Sequence, residues 1–125
     1  MAESPLPRLS FGRASRLKQR GDFARAKAEG RRLVCGCLIA NILLRPQGQP
    51  SRLGVVTSRK MLGGAVARSR ARRLLRESFR LHQHDLTRPV DLVLIARSSI
   101  TGKKRADVEM DLQRVLRQAR LDLAR

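Results

Sequence analysis

The stretch from Ser58 to Arg80 constrains the fold more than any other part of the chain. Gly63 and Gly64 interrupt it, and arginines then recur every four residues, at positions 68, 72, 76 and 80. A four-residue step advances slightly more than one helical turn, so the spacing predicts a helix over residues 65–81 with an arginine ridge along one side. Because like charges at this spacing repel one another, an extended polyanion is the natural partner for such a helix.

The charge balance of the whole chain favours the same kind of partner. Lysine and arginine number 28 in 125 residues, against 10 aspartate and glutamate, which gives a formal net charge of +18. Such an excess is typical of proteins that bind nucleic acids. A membrane-binding basic helix would need aromatic side chains on its apolar face, and the chain has three Phe, no Trp and no Tyr. Nucleic acid is therefore the expected partner, and no membrane association is expected.

The length suits one domain with one hydrophobic core. Residues 1–14 are interpreted as a flexible basic arm and residues 15–125 as a single RNA-binding domain. The sequence contains no signal-peptide core and no apolar run long enough to cross a bilayer. The expected location is therefore the bacterial cytoplasm.

Apolar patterns along the chain predict three helices and three clear strands. Besides the arginine helix, helices are expected over residues 16–29, ended by Gly30, and over residues 105–123. Strands are predicted at residues 33–44, 53–57 and 90–96, and the first two are expected to form an antiparallel pair because a short loop joins them. The order of elements indicates an α+β fold, a small α/β sandwich with one sheet covered by helices.

The patterns that would support catalysis by the chain itself are absent. No nucleophile stands beside a base, no phosphate-binding P-loop occurs, and no paired carboxylates suggest a two-metal nuclease. Cys35 and Cys37 are interpreted as small buried side chains on one face of a strand in a reducing compartment, and His82 and His84 as surface residues. No catalytic residue, metal site or protein-bound cofactor is predicted.

Taken together, these residues resemble the protein component of bacterial ribonuclease P. In that family a basic strand end and a glycine turn precede a helix that reads Ala-Val-x-Arg-Asn-Arg-x-(Lys/Arg)-Arg-x-x-Arg-Glu-x-Phe. The matching residues are Ser58–Lys60, Gly63, Ala65–Val66, Arg68, Arg70, Arg72–Arg73, Arg76–Glu77 and Phe79–Arg80. Further landmarks are Leu17 with Asp22–Phe23 and Gly30, then Arg52–Val55, then Asp91–Arg97. The resemblance covers residues 16–120.

Two features depart from the family pattern. Ser69 stands where the family has an asparagine, so a contact that needs the amide group is lost or replaced. The turn over residues 61–64 is one residue longer than usual, which could shift Arg59 and Lys60 relative to the helix.

The resemblance implies a four-stranded mixed sheet with three helices, in the order α-β-β-β-α-β-α, a fold also found in a ribosomal protein domain. It places the arginine helix in a left-handed crossover between parallel strands, where the general rule predicts a right-handed one. It also implies a division of labour: a catalytic RNA subunit removes the 5′ leader of precursor tRNA with the help of Mg²⁺ that the RNA recruits, and the protein binds that RNA and the leader. No obligate protein partner is inferred.

Two groups of residues follow as candidates for binding. The RNA-binding candidates are Arg59, Lys60, Arg68, Ser69, Arg70, Arg72, Arg73 and Arg76. The candidates for a leader cleft between the first helix and the sheet are Phe23, Arg16, Lys18, Lys27 and Asn41. For Phe23, core packing and base stacking are both open.

Two other functions remain compatible with the sequence. A structural RNA-binding protein of ribosomal type would bind RNA as tightly without aiding cleavage. A DNA-compacting protein would bind duplex DNA and structured RNA equally well.

Overall fold

The computed structural model describes residues 16–123 except 18, 83–85 and 87, with side chains as far as Ala119. The predicted arm over residues 1–14, the cleft candidate Lys18 and the histidine His84 lie outside the described residues. Within this range the chain forms four strands and four α-helices. They are α1 (Arg20–Glu29), β1 (Arg31–Cys35), β2 (Leu38–Leu44), β3 (Arg52–Val56), α2 (Arg59–Leu62), α3 (Ala65–His82), β4 (Val90–Ala96) and α4 (Arg105–Leu123).

The four strands form one mixed sheet in the order β1-β2-β4-β3. β4 pairs antiparallel with β2 and parallel with β3, and α3 lies in the connection between the two parallel strands. The four-stranded mixed sheet is thus confirmed, while the left-handed sense of the connection stays a prediction. The expected antiparallel pairing of residues 33–44 with residues 53–57 is wrong, because β4 lies between β2 and β3.

The predicted single strand over residues 33–44 is a hairpin of β1 and β2. Gly36 turns the chain with a φ of 56°, and the N–H of Cys37 donates to Oδ2 of Asp111 at 3.0 Å. A Cβ on Gly36 would lie 2.2 Å from that same oxygen, so only glycine fits between the turn and α4. The two cysteines therefore do not share a strand face as predicted: both are free, Cys37 is buried and Cys35 is half-buried.

The first helix begins at Arg20, four residues later than predicted. The preceding segment runs beside β3 instead, because Arg16 bridges to Leu53 and the N–H of Leu17 donates to the Leu53 carbonyl at 2.9 Å. The helix ends at Gly30 as predicted, although the glycine is not left-handed, with a φ of −83°. A Cβ there would lie 2.7 Å from the Ile42 carbonyl oxygen, so glycine lets the end of α1 approach β2.

Helices cover both faces of the sheet. α3 and α4 pack against one face and against each other, and α1 packs against the other face. The buried stripe of α3 consists of Ala71, Leu75, Ser78 and Phe79. Burying each large aliphatic side chain in such a core stabilises the fold by about 1.5–3 kcal/mol.

The far end of α3 is fixed to α4 through His82. Its Nε2 lies 2.8 Å from Oε1 of Glu109, and the ring is half-buried, so the prediction of a surface residue is wrong for His82. No described helix combines the length and the apolar composition that crossing a membrane would require.

Candidate nucleic-acid interface

The outer surface of α3 is strongly cationic because its charges are largely uncompensated. Glu77 is the acid in this helix, and it pairs with Arg80. The hydrogen bond from Arg80 lowers the pKa of Glu77 and raises that of Arg80. Within the part of the chain that the structure describes, the other arginines of α3 form no ion pair. They are Arg68, Arg70, Arg72, Arg73 and Arg76.

One flank of α3 faces the outer edge of the sheet, where β3 ends. Nη1 of Arg72 donates to Oγ1 of Thr57, the residue after β3, at 2.9 Å. Partial burial lowers the pKa of Arg76, and the positive charges of Arg16 and Arg72 lower it further. These three arginines therefore lie close together, and a phosphate group would relieve their repulsion.

Ser69 lies beside this flank and its hydroxyl is already engaged. Its Oγ accepts a hydrogen bond from Nη2 of Arg72 at 3.3 Å. Ser69 thus helps to orient an arginine of the same helix. Arg68 is half-buried, and its Nε is enclosed without a hydrogen-bond partner among the described residues.

The opposite flank of α3 faces the loop between β4 and α4. Nη2 of Arg70 donates to the carbonyl oxygen of Lys103 in that loop. Arg73 is exposed on the outer surface between the two flanks. The arginines that the sequence groups as one cluster therefore face three directions around the helix.

Arg59 and Lys60 do not lie at a strand end, as predicted, but on the short helix α2. Ser58 caps this helix by accepting the N–H of Met61 at 3.1 Å, and Gly63 ends it with a φ of 82°. Residues 59–62 therefore form a helical turn rather than an extended strand end. Both basic side chains are exposed, so α2 extends the cationic surface beyond the start of α3.

α1 packs on the face of the sheet opposite α3 and α4, where the sequence predicts the leader cleft. Phe23 of α1 packs over Gly54 of β3, where an added Cβ would lie 2.5 Å from its ring. The ring is half-buried beside Leu17, Ala26 and Val93, so Phe23 has a packing role, and base stacking by its exposed part stays a prediction.

The remaining cleft candidates differ in exposure. Asn41 belongs to β2 and is only 2% exposed, so it lies in the floor under α1. Lys27 on α1 and Arg16 before it are exposed and are accessible to a ligand.

An apolar strip beside α1 was not predicted from the sequence. Strand alternation and register place its side chains on the α1 face of the sheet, one row beyond the part that α1 covers. The strip consists of Val34, Ile39, Ile95 and Val56. Val34 is 58% exposed and the others are half-buried. The alternation of side chains between the two faces of each strand was the available signal. Locating the strip also requires the register in which the strands pair.

A buried carboxylate fixes α1 and the ends of the strands that form the cleft. Asp91, 5% exposed, accepts hydrogen bonds from Nε and Nη2 of Arg52 at 2.8 and 2.7 Å. Nε of Arg45 lies 3.4 Å from the same carboxylate, and Nη2 of Arg52 lies 3.5 Å from Asp22 of α1. The network connects β2, β3, β4 and α1, so it positions the cleft wall.

The side chains described here offer no metal centre: among them, no three His, Cys, Asp or Glu residues are grouped so that they could hold a metal ion.

Comparison with known proteins finds relatives of this sequence and of this fold. A family model described as Ribonuclease P matches residues 11–120. A ribonuclease P protein component from Gluconacetobacter diazotrophicus is 39% identical over 108 residues, which cover 86% of this chain and 92% of that protein. The ribonuclease P protein of Staphylococcus aureus matches the structure with a TM-score of 0.75 at 28% identity, over 84% of this chain and 94% of that one. The protein from Thermotoga maritima matches with a TM-score of 0.73 at 28% identity, over 82% and 96%.

Proposed function

The chain belongs to the ribonuclease P protein family, and on that premise we propose that α2 and the arginine surface of α3 bind the catalytic RNA subunit. As the protein subunit of ribonuclease P, it assists an endonuclease whose chemistry resides in RNA and which removes the 5′ leader of precursor tRNA. The relatives compared above are named as ribonuclease P proteins, and nothing favours the alternative of a structural RNA-binding protein.

The uncompensated charge of α3 is the observation that carries this proposal. Guanidinium groups stay charged at every cellular pH and bind phosphate oxygens in a bidentate manner. Five arginines of α3 have no ion pair with a described residue, and Arg59 and Lys60 add two exposed charges on α2. Each phosphate that they contact displaces counterions from the RNA, so the affinity should fall steeply as salt is raised.

The role in cleavage follows from electrostatics. The RNA subunit and the precursor tRNA are both polyanions and repel each other. A protein with a net charge of +18 at their junction lowers this repulsion and with it the Mg²⁺ concentration that the complex requires. We place the Mg²⁺ with the RNA, where it supplies charge stabilisation at the reacting phosphate.

For the leader, the cleft between α1 and the sheet offers a surface of suitable chemistry. Its exposed cations are Arg16 and Lys27, which would hold the phosphates of an extended single strand. Its floor offers the Phe23 ring and the apolar strip, on which unstacked bases could pack. Charge contributes more than stacking here, because Phe23 is the aromatic residue of the cleft and is half-buried.

Cleavage of a precursor tRNA by the cognate RNA subunit at low Mg²⁺, with and without the protein, tests the function. We expect marked stimulation with correct 5′ ends. No stimulation by folded, RNA-binding protein would instead favour a purely structural RNA-binding role.

A triple variant tests the interface. Replacing Arg68, Arg70 and Arg72 by alanine should weaken binding to the RNA subunit by more than about 10-fold. The slope of the logarithm of affinity against the logarithm of salt concentration (the salt slope) should become shallower by about 2. The control variant replaces Arg25, Arg114 and Arg117, which are exposed on α1 and α4, and thus loses the same charge. Equal affinities of the two variants, both with native circular dichroism, would contradict the assignment to α3.

A further inference from the structure

The loop between β4 and α4 holds two lysines in fixed positions beside α3. The N–H of Lys103 donates to the Ile100 carbonyl at 3.0 Å, and the N–H of Lys104 donates to Oδ2 of Asp107 at 3.0 Å. Arg70 binds the Lys103 carbonyl from the other side. Because the backbone is held at three points, the exposed lysine side chains start from defined positions next to Arg70.

A crevice separates this loop from α3. It has a volume of about 310 Å³ and is lined by Ala67, Arg70, Ala71, Ile100, Thr101 and Gly102. Its lining residues are mostly small or apolar, and Arg70 and Thr101 are the polar ones. Asp107 lies in the first turn of α4, and its carboxylate is engaged at the Lys104 N–H.

This combination fits a nucleotide better than simpler ligands. Phosphate alone would not need apolar walls, and an apolar ligand would not need a cationic edge. A nucleotide uses both, because its phosphates bind guanidinium and ammonium groups while its base packs on an apolar surface. Single-stranded loops and bulges of folded RNA present such unstacked nucleotides.

The position of the crevice indicates which RNA would occupy it. Arg70 also lines a neighbouring hollow of about 480 Å³ with Ala65, Val66, Ser69 and Arg73. Val66 is 86% exposed there, so a large apolar side chain stands open among arginines. An RNA bound to the outer surface of α3 therefore reaches the crevice by passing over Arg70, whereas the α1 cleft lies on the opposite face of the sheet.

We propose that this crevice binds an unstacked nucleotide of the catalytic RNA and that Lys103 and Lys104 contact its flanking phosphates. The proposal rests on the function inferred above and extends the RNA interface from α3 onto the β4–α4 loop.

The decisive comparison is between two variants that lose the same charge. Replacing Lys103 and Lys104 by alanine should weaken binding to the RNA subunit by about 10-fold and reduce the salt slope by about 1 to 2. The control, Arg114→Ala with Arg117→Ala on the exposed side of α4, should change the affinity much less. Equal affinities for the two variants would overturn the proposal.

Two further measurements separate the crevice from the charges and identify the RNA. Ala67→Leu fills the crevice without changing charge and should weaken binding while the melting temperature stays close to that of the wild type. If Ala67→Leu unfolds the protein, the comparison of the Lys103 and Lys104 variant with its control still tests the proposal. A photoreactive phenylalanine analogue at position 101 should crosslink to the RNA subunit, and a crosslink to precursor tRNA alone would overturn the proposal.

The wild-type protein keeps the two proposals apart. If it binds the RNA subunit and stimulates cleavage while the lysine and Ala67 variants behave like it, the extension fails and the proposed function stands. If the wild type neither binds nor stimulates, both fail.

Discussion

Asp91→Asn should be among the most destabilising single substitutions in this protein, although it replaces only one carboxylate oxygen by an amide NH₂ group. The carboxylate is 5% exposed and accepts two hydrogen bonds from Arg52, at 2.8 and 2.7 Å, with Arg45 at 3.4 Å. The asparagine oxygen can keep one of the bonds, but its amide N–H groups then face the guanidinium donors. One charge-assisted bond is lost, and two partly buried arginines lose their counter-charge.

The expected cost is about 3 kcal/mol, the lower end of the range for breaking a buried ion pair, because Arg52 is partly solvated. With a urea slope of about 2 kcal/mol/M, the unfolding midpoint followed by circular dichroism should fall by about 1.5 M. Glu29→Gln makes the same chemical change in the exposed pair with Arg25, whose side chains are 63% and 61% exposed, and should cost less than about 0.5 kcal/mol. Equal costs for the two substitutions would refute the role of the Asp91 network.

Three other predictions concern buried positions. Ser78→Ala should raise the free energy of unfolding by about 1 kcal/mol, since the Ser78 hydroxyl is enclosed without a partner among the described residues; an unchanged or lower urea midpoint would contradict this. Gly54→Ala should displace Phe23, because the new Cβ would lie 2.5 Å from its ring; leader affinity should then fall more than affinity for the RNA subunit, and binding titrations with each RNA distinguish the two effects. Burial and the nearby Asp111 carboxylate raise the pKa of Cys37 from 9.0 to about 12. Folding therefore favours the protonated thiol, and the stability it contributes is full below pH 9 and declines from there towards pH 12. At pH 9 iodoacetamide should alkylate Cys37 in the folded protein far more slowly than in urea, as mass spectrometry would detect.

The two long helices, α3 and α4, follow from local pattern and were predicted well. α4 has the predicted bounds, and α3 ends one residue beyond its predicted end. In both, apolar residues recur at helical spacing, and this signal needs no knowledge of distant parts of the chain. The short helix α2 was missed because four residues are too few for periodicity, although Ser58 in a capping position was a signal.

The strands show where local pattern fails. Residues 33–44 are apolar on both sides of Gly36, so the run was taken as one strand, yet the turn at Gly36 is stabilised by Asp111, 75 positions later in the chain. The insertion of β4 between β2 and β3 is equally non-local. Hydrogen bonds between strands carry no residue-specific signal, so pairing depends on which faces the helices can cover.

The sequence by itself determined the binding chemistry: a net charge of +18 and a helix rich in arginine specify a polyanionic partner wherever the chain folds. It could not determine where each arginine faces. Arg72 turns towards Thr57 and the cleft, Arg70 towards Lys103 and the β4–α4 loop, because α3 is packed between the sheet edge and that loop. The net charge is a property of composition, whereas the direction in which each arginine points is set only when distant segments pack on the two sides of one helix.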